Sequence, residues 1–185
     1  MIDDDRRLRF ERLAAAVYEP LQRYIRRRAG ASLVDDALAD TLLVLWRRLD
    51  DVPVTDPLPW CYGVARRCLA NVRRSGQRHE RLVARLTADP PPLTTDRLDA
   101  ANDDDEIHAA LAQLSDADRE LVHLWAWEGL EPREIAVAVD STPNAISIRL
   151  YRVRQRLAEQ LGKDRASAGH DNSTRHDIDE SEEDR

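Results

Sequence analysis

From Leu130 to Leu157 the chain reads LEPREIAVAVDSTPNAISIRLYRVRQRL, and its second half carries the side chains best placed for chemistry. Ile146, Leu150, Val153 and Leu157 recur at helical spacing and form a stripe that faces a core. At ~100° per residue the opposite face holds Asn144, Ser147, Ile148, Tyr151, Arg152 and Gln155. Ile148 and Tyr151 gain nothing on a merely solvated face. In a DNA major groove they do, because apolar contact reads the thymine methyl while Asn and Arg reach polar base edges. Arg149, Arg154 and Arg156 flank that face and reach phosphates on either side, and Arg133 adds a backbone contact from the preceding segment. An arginine-rich helical hairpin without a DNA role would satisfy the same pattern taken alone.

A second constellation lies upstream. Cys61, Val64, Ala65, Cys68, Leu69 and Val72 occupy one helical arc, and Arg66, Arg67, Arg73, Arg74, Arg78 and Arg81 fall in the opposed one. Like charges along a helix face repel and weaken an isolated helix. A polyanion removes that repulsion and adds charge-assisted contacts. Trp60 and Tyr62 stand at the start of this helix, beside the loop 50–59, where aromatic rings can stack on unpaired bases. The plainer reading makes Trp60 a core residue and the arginines a solvated face.

The elements that position these groups are helices. Pro132 suits a first helical position, and a short helix over 133–139 turns Ile135, Ala136 and Val139 to one side. Asp140, Ser141 and Thr142 supply turn and cap chemistry before Pro143 opens the next helix. Three helices precede them. The first is expected from about Arg7 to Arg28. The second follows Ser32, with Asp35 in a capping-box position, and ends near Leu49; the third starts near 57–59, with Asp56 as a cap, and extends toward Leu86. In the second, Val34, Leu38, Thr41, Leu42, Leu45 and Leu49 form the buried stripe, and Asp36, Asp40, Leu43 and Arg47 face outward. A leucine among acids is either a tolerated exposed residue or part of a docking face for a basic partner with an apolar ridge.

Charge is divided unevenly. The whole chain of 185 residues carries −7, yet residues 6–85 hold 17 arginines against 9 acids. Acid concentrates in residues 86–105, in the tail and in Asp3–Asp5. The predicted architecture is all-α: two small helical domains, 6–87 and 106–162, joined by a flexible acidic, proline-containing linker over 88–105, with a possible helical turn near Asp96–Ala101. Gly162 reads as a helix end, and residues 163–185 as a disordered acidic tail. Tethered beside the arginines, the tail acids Asp171, Asp177, Asp179, Glu180, Glu182, Glu183 and Asp184 either compete with DNA phosphates or merely solubilise. No apolar run has membrane-spanning length and the N-terminus lacks signal-peptide character, so a cytoplasmic protein is expected. Cys61 and Cys68 read as reduced core thiols. The scattered histidines lack metal spacing, and no catalytic constellation, metal site, cofactor or small-molecule substrate is predicted.

The ordered chain resembles the extracytoplasmic-function (ECF) class of bacterial RNA polymerase sigma factors, minimal factors built from a sigma-2 and a sigma-4 domain. VDDALADTLLVLW (Val34–Trp46) is similar to the family's segment that grips the core polymerase. By that resemblance Asp36, Asp40, Leu43, Trp46 and Arg47 bind core. PWCYGVARRCLANVRR (Pro59–Arg74) is similar to the segment that opens and reads the −10 element. That assigns −10 DNA to Thr55, Trp60, Tyr62, Arg66, Arg67, Asn71, Arg73 and Arg74. The stretch ending in SIRLYRVRQRL is similar to the sigma-4 helix-turn-helix, which assigns −35 DNA to Arg133, Asn144, Ser147, Ile148, Arg149, Tyr151, Arg152 and Arg156. Asp140 stands where the family usually has Gly, and Asn144, Ala145, Ser147, Ile148 and Ala39 also depart from its pattern, so the −35 sequence is not inherited with the fold. The implied partners are core RNA polymerase, promoter DNA and an anti-sigma factor. The competing reading is a stand-alone helix-turn-helix regulator that never meets polymerase. A metal-dependent nuclease is more remote, since Asp35, Asp36 and Asp40 lack the rest of such a site.

Overall fold

Helices make up the regular structure of the residues described, 2–87 and 105–171 of a computed structural model. They are α1 (Ile2–Arg26), α2 (Ala31–Arg47), α3 (Leu58–Thr87), α4 (Asp105–Ala112), α5 (Asp116–Ala126), α6 (Pro132–Val139) and α7 (Pro143–Asp171), with a 3-10 turn over Leu49–Asp51. No strand occurs among the described residues. The fold is all-α. Two units form, one gathering α1, α2, α3 and α6, the other α4, α5 and α7.

In the first unit the apolar stripes predicted from helical spacing become the core. Val17, Leu21, Tyr24 and Ile25 of α1 meet Val34, Ala37, Leu38 and Leu45 of α2 and Cys61, Val64, Ala65 and Leu69 of α3, all buried. Each large aliphatic side chain removed from water contributes ~1.5–3 kcal/mol. The C-terminal end of α2 leaves carbonyls without helical partners. Arginines of α1 supply them: Arg6 Nη2 donates to the Trp46 carbonyl at 2.8 Å and Arg9 Nη2 to that of Leu49 at 2.9 Å. Both guanidiniums also pair with Asp50. Thr41, fully buried, satisfies its hydroxyl by donating to the Ala37 carbonyl at 2.6 Å.

Against α3 lies α6. Pro132 occupies its first turn, and Glu131 and Glu134 close a reciprocal capping box in which the Glu134 carboxylate accepts the Glu131 N–H at 2.7 Å. Asp140 ends α6 in the left-handed region (φ 58°, ψ 60°), the conformation for which the family's usual Gly is suited. The α3–α6 approach is tight at Gly63, where an added Cβ would lie 2.9 Å from the Ala138 carbonyl oxygen. Glycine inside a helix costs ~1 kcal/mol relative to alanine. Here it is what lets the two backbones meet.

The second unit is held by Leu111 and Leu114, Val122 of α5, and Val153 with Leu157 of α7. Ser115 caps α5, accepting the Asp118 N–H at 3.2 Å. The Arg119 side chain donates to the carbonyls of Leu111, Ala112 and Leu114 and so closes the end of α4.

Three sequence expectations change. The second helix begins at Ala31 with Gly30 as its cap and no side-chain cap bond, so Asp35 forms no capping box. The chain enters the helix one turn earlier because Ala31 and Ser32 are themselves acceptable helical residues. On α6 the buried set is Ile135, Ala136 and Ala138, with Val139 only half-buried, because small Ala138 is what α3 admits. Finally, α7 runs through Gly162 to Asp171, so Gly162 does not end it and residues 163–171 are helical. One glycine is insufficient to stop a helix whose continuation, KDRASA, is rich in helix formers. The proposed turn near Asp96–Ala101, the rest of the linker and tail residues 172–185 lie outside the described residues.

Candidate nucleic-acid interface

On α7 the inner and outer faces separate as the spacing predicts. Ile146, Leu150 and Val153 are buried, while Asn144, Ser147, Ile148, Tyr151 and Arg152 are exposed, Tyr151 at 66%. Two apolar side chains, Ile148 and Tyr151, are thus held in solvent between polar ones. The flanking arginines are not loose. Arg149 Nε donates to Asp118 Oδ1 at 2.6 Å and Arg156 Nη2 to Asp118 Oδ2 at 3.0 Å. The Arg154 guanidinium lies 4.6 Å from the centre of the Trp125 ring. Arg133, near the start of α6, pairs with Glu131 at 3.1 Å and is exposed. Burial pushes the Asp118 carboxyl up, but hydrogen bonds from Arg149, Arg156 and Ser115 outweigh it and hold the group below the ordinary carboxylate range.

Sequence reasoning missed Asp118. A seven-residue interval between Arg149 and Arg156 does signal one stripe two turns apart. Nothing local to either arginine says that α5 supplies the acid that stripe meets.

On α3 the arginines behave differently. Arg67, Arg73, Arg74 and Arg78 are exposed, and among the described residues none of them pairs with an acid. Arg74 Nη2 donates to Asn71 Oδ1 at 2.7 Å and its Nε to the Ala70 carbonyl at 3.1 Å. The Arg66 Nε is buried without a hydrogen-bond partner. Trp60 is half-buried, with the Arg48 guanidinium 5.3 Å from its ring centre, and Thr55 is exposed in the preceding loop. Tyr62 requires a correction. It is 3% exposed with its ring centre 5.0 Å from that of Tyr24, so it packs in the core and presents no ring to DNA.

The α2 face carries Asp36, Asp40 and Arg47 in solvent, with Leu43 44% exposed between them. Trp46 is half-buried, edge-on to Phe10 at 5.2 Å and beneath the Arg6 guanidinium at 5.2 Å, so α1 already holds most of it. Cys61 and Cys68 are free and buried, and burial pushes the Cys61 thiol up to about 12. Among the described residues no group of three or more His, Cys, Asp or Glu is placed to hold a metal, and no helix is long and apolar enough to cross a membrane.

A short capped helix, a turn and a longer helix with an exposed mixed face follow the pattern of a helix-turn-helix DNA-binding module. Residues 104–157, from the start of α4 into α7, match the family described as Sigma-70, region 4. The chain is 29% identical over 140 residues to RNA polymerase sigma factor NccH of Alcaligenes xylosoxydans xylosoxydans, covering 69% of this chain and 73% of that protein. Among solved structures it is similar to CnrH in complex with the cytosolic domain of CnrY, with TM-score 0.56, 24% identity, and coverage of 84% and 88% of the two chains. It is also similar to the Bartonella quintana sigma factor RpoE in complex with the anti-sigma factor NepR (TM-score 0.54, 20% identity, 83% and 96% covered). Residues 104–157 thus match the sigma-70 region 4 family, and the chain is similar over a longer stretch to an RNA polymerase sigma factor.

Proposed function

We infer that this protein binds core RNA polymerase and directs promoter-specific initiation of transcription. The observation that carries the reading is the match to Sigma-70, region 4 over residues that include most of the exposed face of α7. The similarity to NccH spans 140 residues, more than a helix-turn-helix module alone, which disfavours a stand-alone regulator. Roles then follow from placement. Asp36, Asp40, Leu43 and Arg47 form the face offered to core polymerase, with Trp46 as its anchor to α1. Arg66, Arg67, Asn71, Arg73 and Arg74 hold −10 DNA, and Trp60 with the loop around Thr55 captures an unstacked base. Asn144, Ser147, Ile148, Tyr151 and Arg152 read −35 bases, and Arg133, Arg149 and Arg156 meet phosphate.

The protein supplies recognition; bond formation belongs to the polymerase, and the site of action is the cytoplasm. Similar structures were solved with the partners CnrY and NepR, and an anti-sigma protein is the corresponding partner here. The test is transcription in vitro with sigma-free core polymerase on a genomic library, followed by mapping of start sites. Starts sharing two sequence elements about two DNA turns apart are expected; no initiation anywhere with folded protein overturns the reading.

A further inference from the structure

Asp118 is nearly buried, its side chain 10% exposed, yet it keeps its charge through two arginine partners. Each of its oxygens accepts from a different arginine of α7: Oδ1 from Arg149 and Oδ2 from Arg156. Those arginines stand seven residues apart, so one carboxylate spans two helical turns, ~10.5 Å of α7. Val153 lies midway between them in sequence and is fully buried, which places the carboxylate and the core contact on the same side of the helix. The two guanidiniums remain 45% and 53% exposed. A guanidinium has five N–H donors, and one from each is used here. The others stay available to a phosphate.

A carboxylate offers an arginine the same chemistry as a phosphate oxygen: negative charge and in-plane acceptors. Held at Asp118, the two arginines carry one net charge where free ones would carry two, and they occupy fixed positions where free ones would sweep. Arg154 is similarly restrained over Trp125. Of the arginines between 149 and 156, Arg152 alone has no such partner among the described residues. This is a poor design for grasping DNA anywhere and a good one for grasping it in one register.

We propose that Asp118 is a specificity-determining positioning residue: it withholds Arg149 and Arg156 from phosphates of unmatched DNA and presents them only where the reading face of α7 lies in register with its bases. The proposal rests on the reading of α7 as a promoter-binding helix. It assigns Asp118 no contact with DNA.

The test uses holoenzyme assembled from the full-length chain and core polymerase, on a duplex carrying a mapped start site and on the same duplex with its upstream element scrambled. Wild type must first discriminate between the two; if it binds both alike, the functional reading itself fails, independently of Asp118. Asp118→Asn preserves shape and removes the charge. It is expected to tighten binding to the scrambled duplex roughly five-fold at low salt, with a salt slope steeper by about one counterion, as an added phosphate contact requires. Discrimination then narrows. A simple structural role predicts the reverse, weaker binding to both duplexes, and that result overturns the proposal. If Asp118→Asn fails to fold, the double variant Arg149→Gln with Arg156→Gln decides. It should weaken promoter binding roughly ten-fold or more while leaving scrambled-duplex binding within about two-fold. An equal loss on both duplexes overturns the proposal.

Discussion

The two arginine-bearing helices hold their charges in opposite ways. On α7, Arg149 and Arg156 are tied to a carboxylate and Arg154 rests over an indole. On α3, Arg67, Arg73, Arg74 and Arg78 have no acid partner among the described residues and are exposed. Restrained cations lose little conformational freedom on binding, so their contacts are geometrically selective. Unpartnered cations repel one another until a polyanion arrives, and their contact with it is stronger but less particular about position. The difference suits the proposed roles, in which α7 reads duplex DNA upstream and the arginines of α3 mainly hold DNA downstream.

The largest effect should come from α3. Replacing Arg67, Arg73 and Arg74 together by Glu removes three charge-assisted contacts of ~1.5–3 kcal/mol each and adds repulsion. Initiation should fall about a thousand-fold or more on every promoter alike, with far-UV circular dichroism unchanged because these side chains are exposed. A loss confined to some promoters would mean that α3 reads sequence and would erase the contrast.

Next in size are the exposed residues of α7 proposed to read bases. Asn144→Ala and Tyr151→Ala should each cost ~1–3 kcal/mol on the best promoters and relax the preference at one upstream position. Selection of initiating sequences from a randomised upstream element would show it. Uniform weakening across the library would put α7 in the same class as α3.

How far the sequence carried these assignments depends on where each partner sits. The inner face of α7 was legible because Ile146, Leu150 and Val153 follow the period of one helix, with no outside information needed. Tyr62 was not. Its burial comes from Tyr24, 38 residues earlier, and the neighbouring Gly63 is covered by α6, so the start of α3 is enclosed from more sides than a single apolar arc implies. Asp118 was hidden for the same reason, its arginines lying 31 and 38 residues away. The outward faces Asp36, Asp40 and Leu43 were read correctly as exposed, since an unburied face is the complement of a legible buried one. Helix ends were least legible, because starting at Ala31 or continuing past Gly162 turns on differences of ~1 kcal/mol or less.

Between the two helices' modes of binding stands Trp60, half-buried and partly covered by Arg48. If its free side stacks on an unpaired base, Trp60→Ala should cost ~1–3 kcal/mol in open-complex formation on duplex promoters and much less on a pre-melted bubble. Potassium permanganate footprinting of both templates measures this. Equal defects on both would make Trp60 a packing residue like Tyr62, and would leave α3 with cations alone.

The smallest effect is a pH dependence that only α7 should show. The Asp118 carboxyl is held below the ordinary carboxylate range because hydrogen bonds from Arg149, Arg156 and Ser115 outweigh the burial that would raise it. A carboxyl with a lower pKa folded than unfolded contributes stability that is fully present above the unfolded value, ~3.9, and is lost as the pH falls through the folded value. Asp118→Asn should therefore destabilise the protein by about 1–2 kcal/mol near neutral pH, the low end of charged hydrogen bonding because both arginines are half-exposed. That penalty should stay constant down to about pH 5 and shrink below about pH 4, where the wild-type carboxyl begins to lose its own advantage. Denaturant midpoints of the two proteins across this range give the difference directly, and the other acids cancel in it. Arg73→Gln on α3 is the matched control. With no acid partner among the described residues, its difference from wild type should show no step in the same window, and a step of equal size there would mean that the cations of α3 are as firmly paired as those of α7.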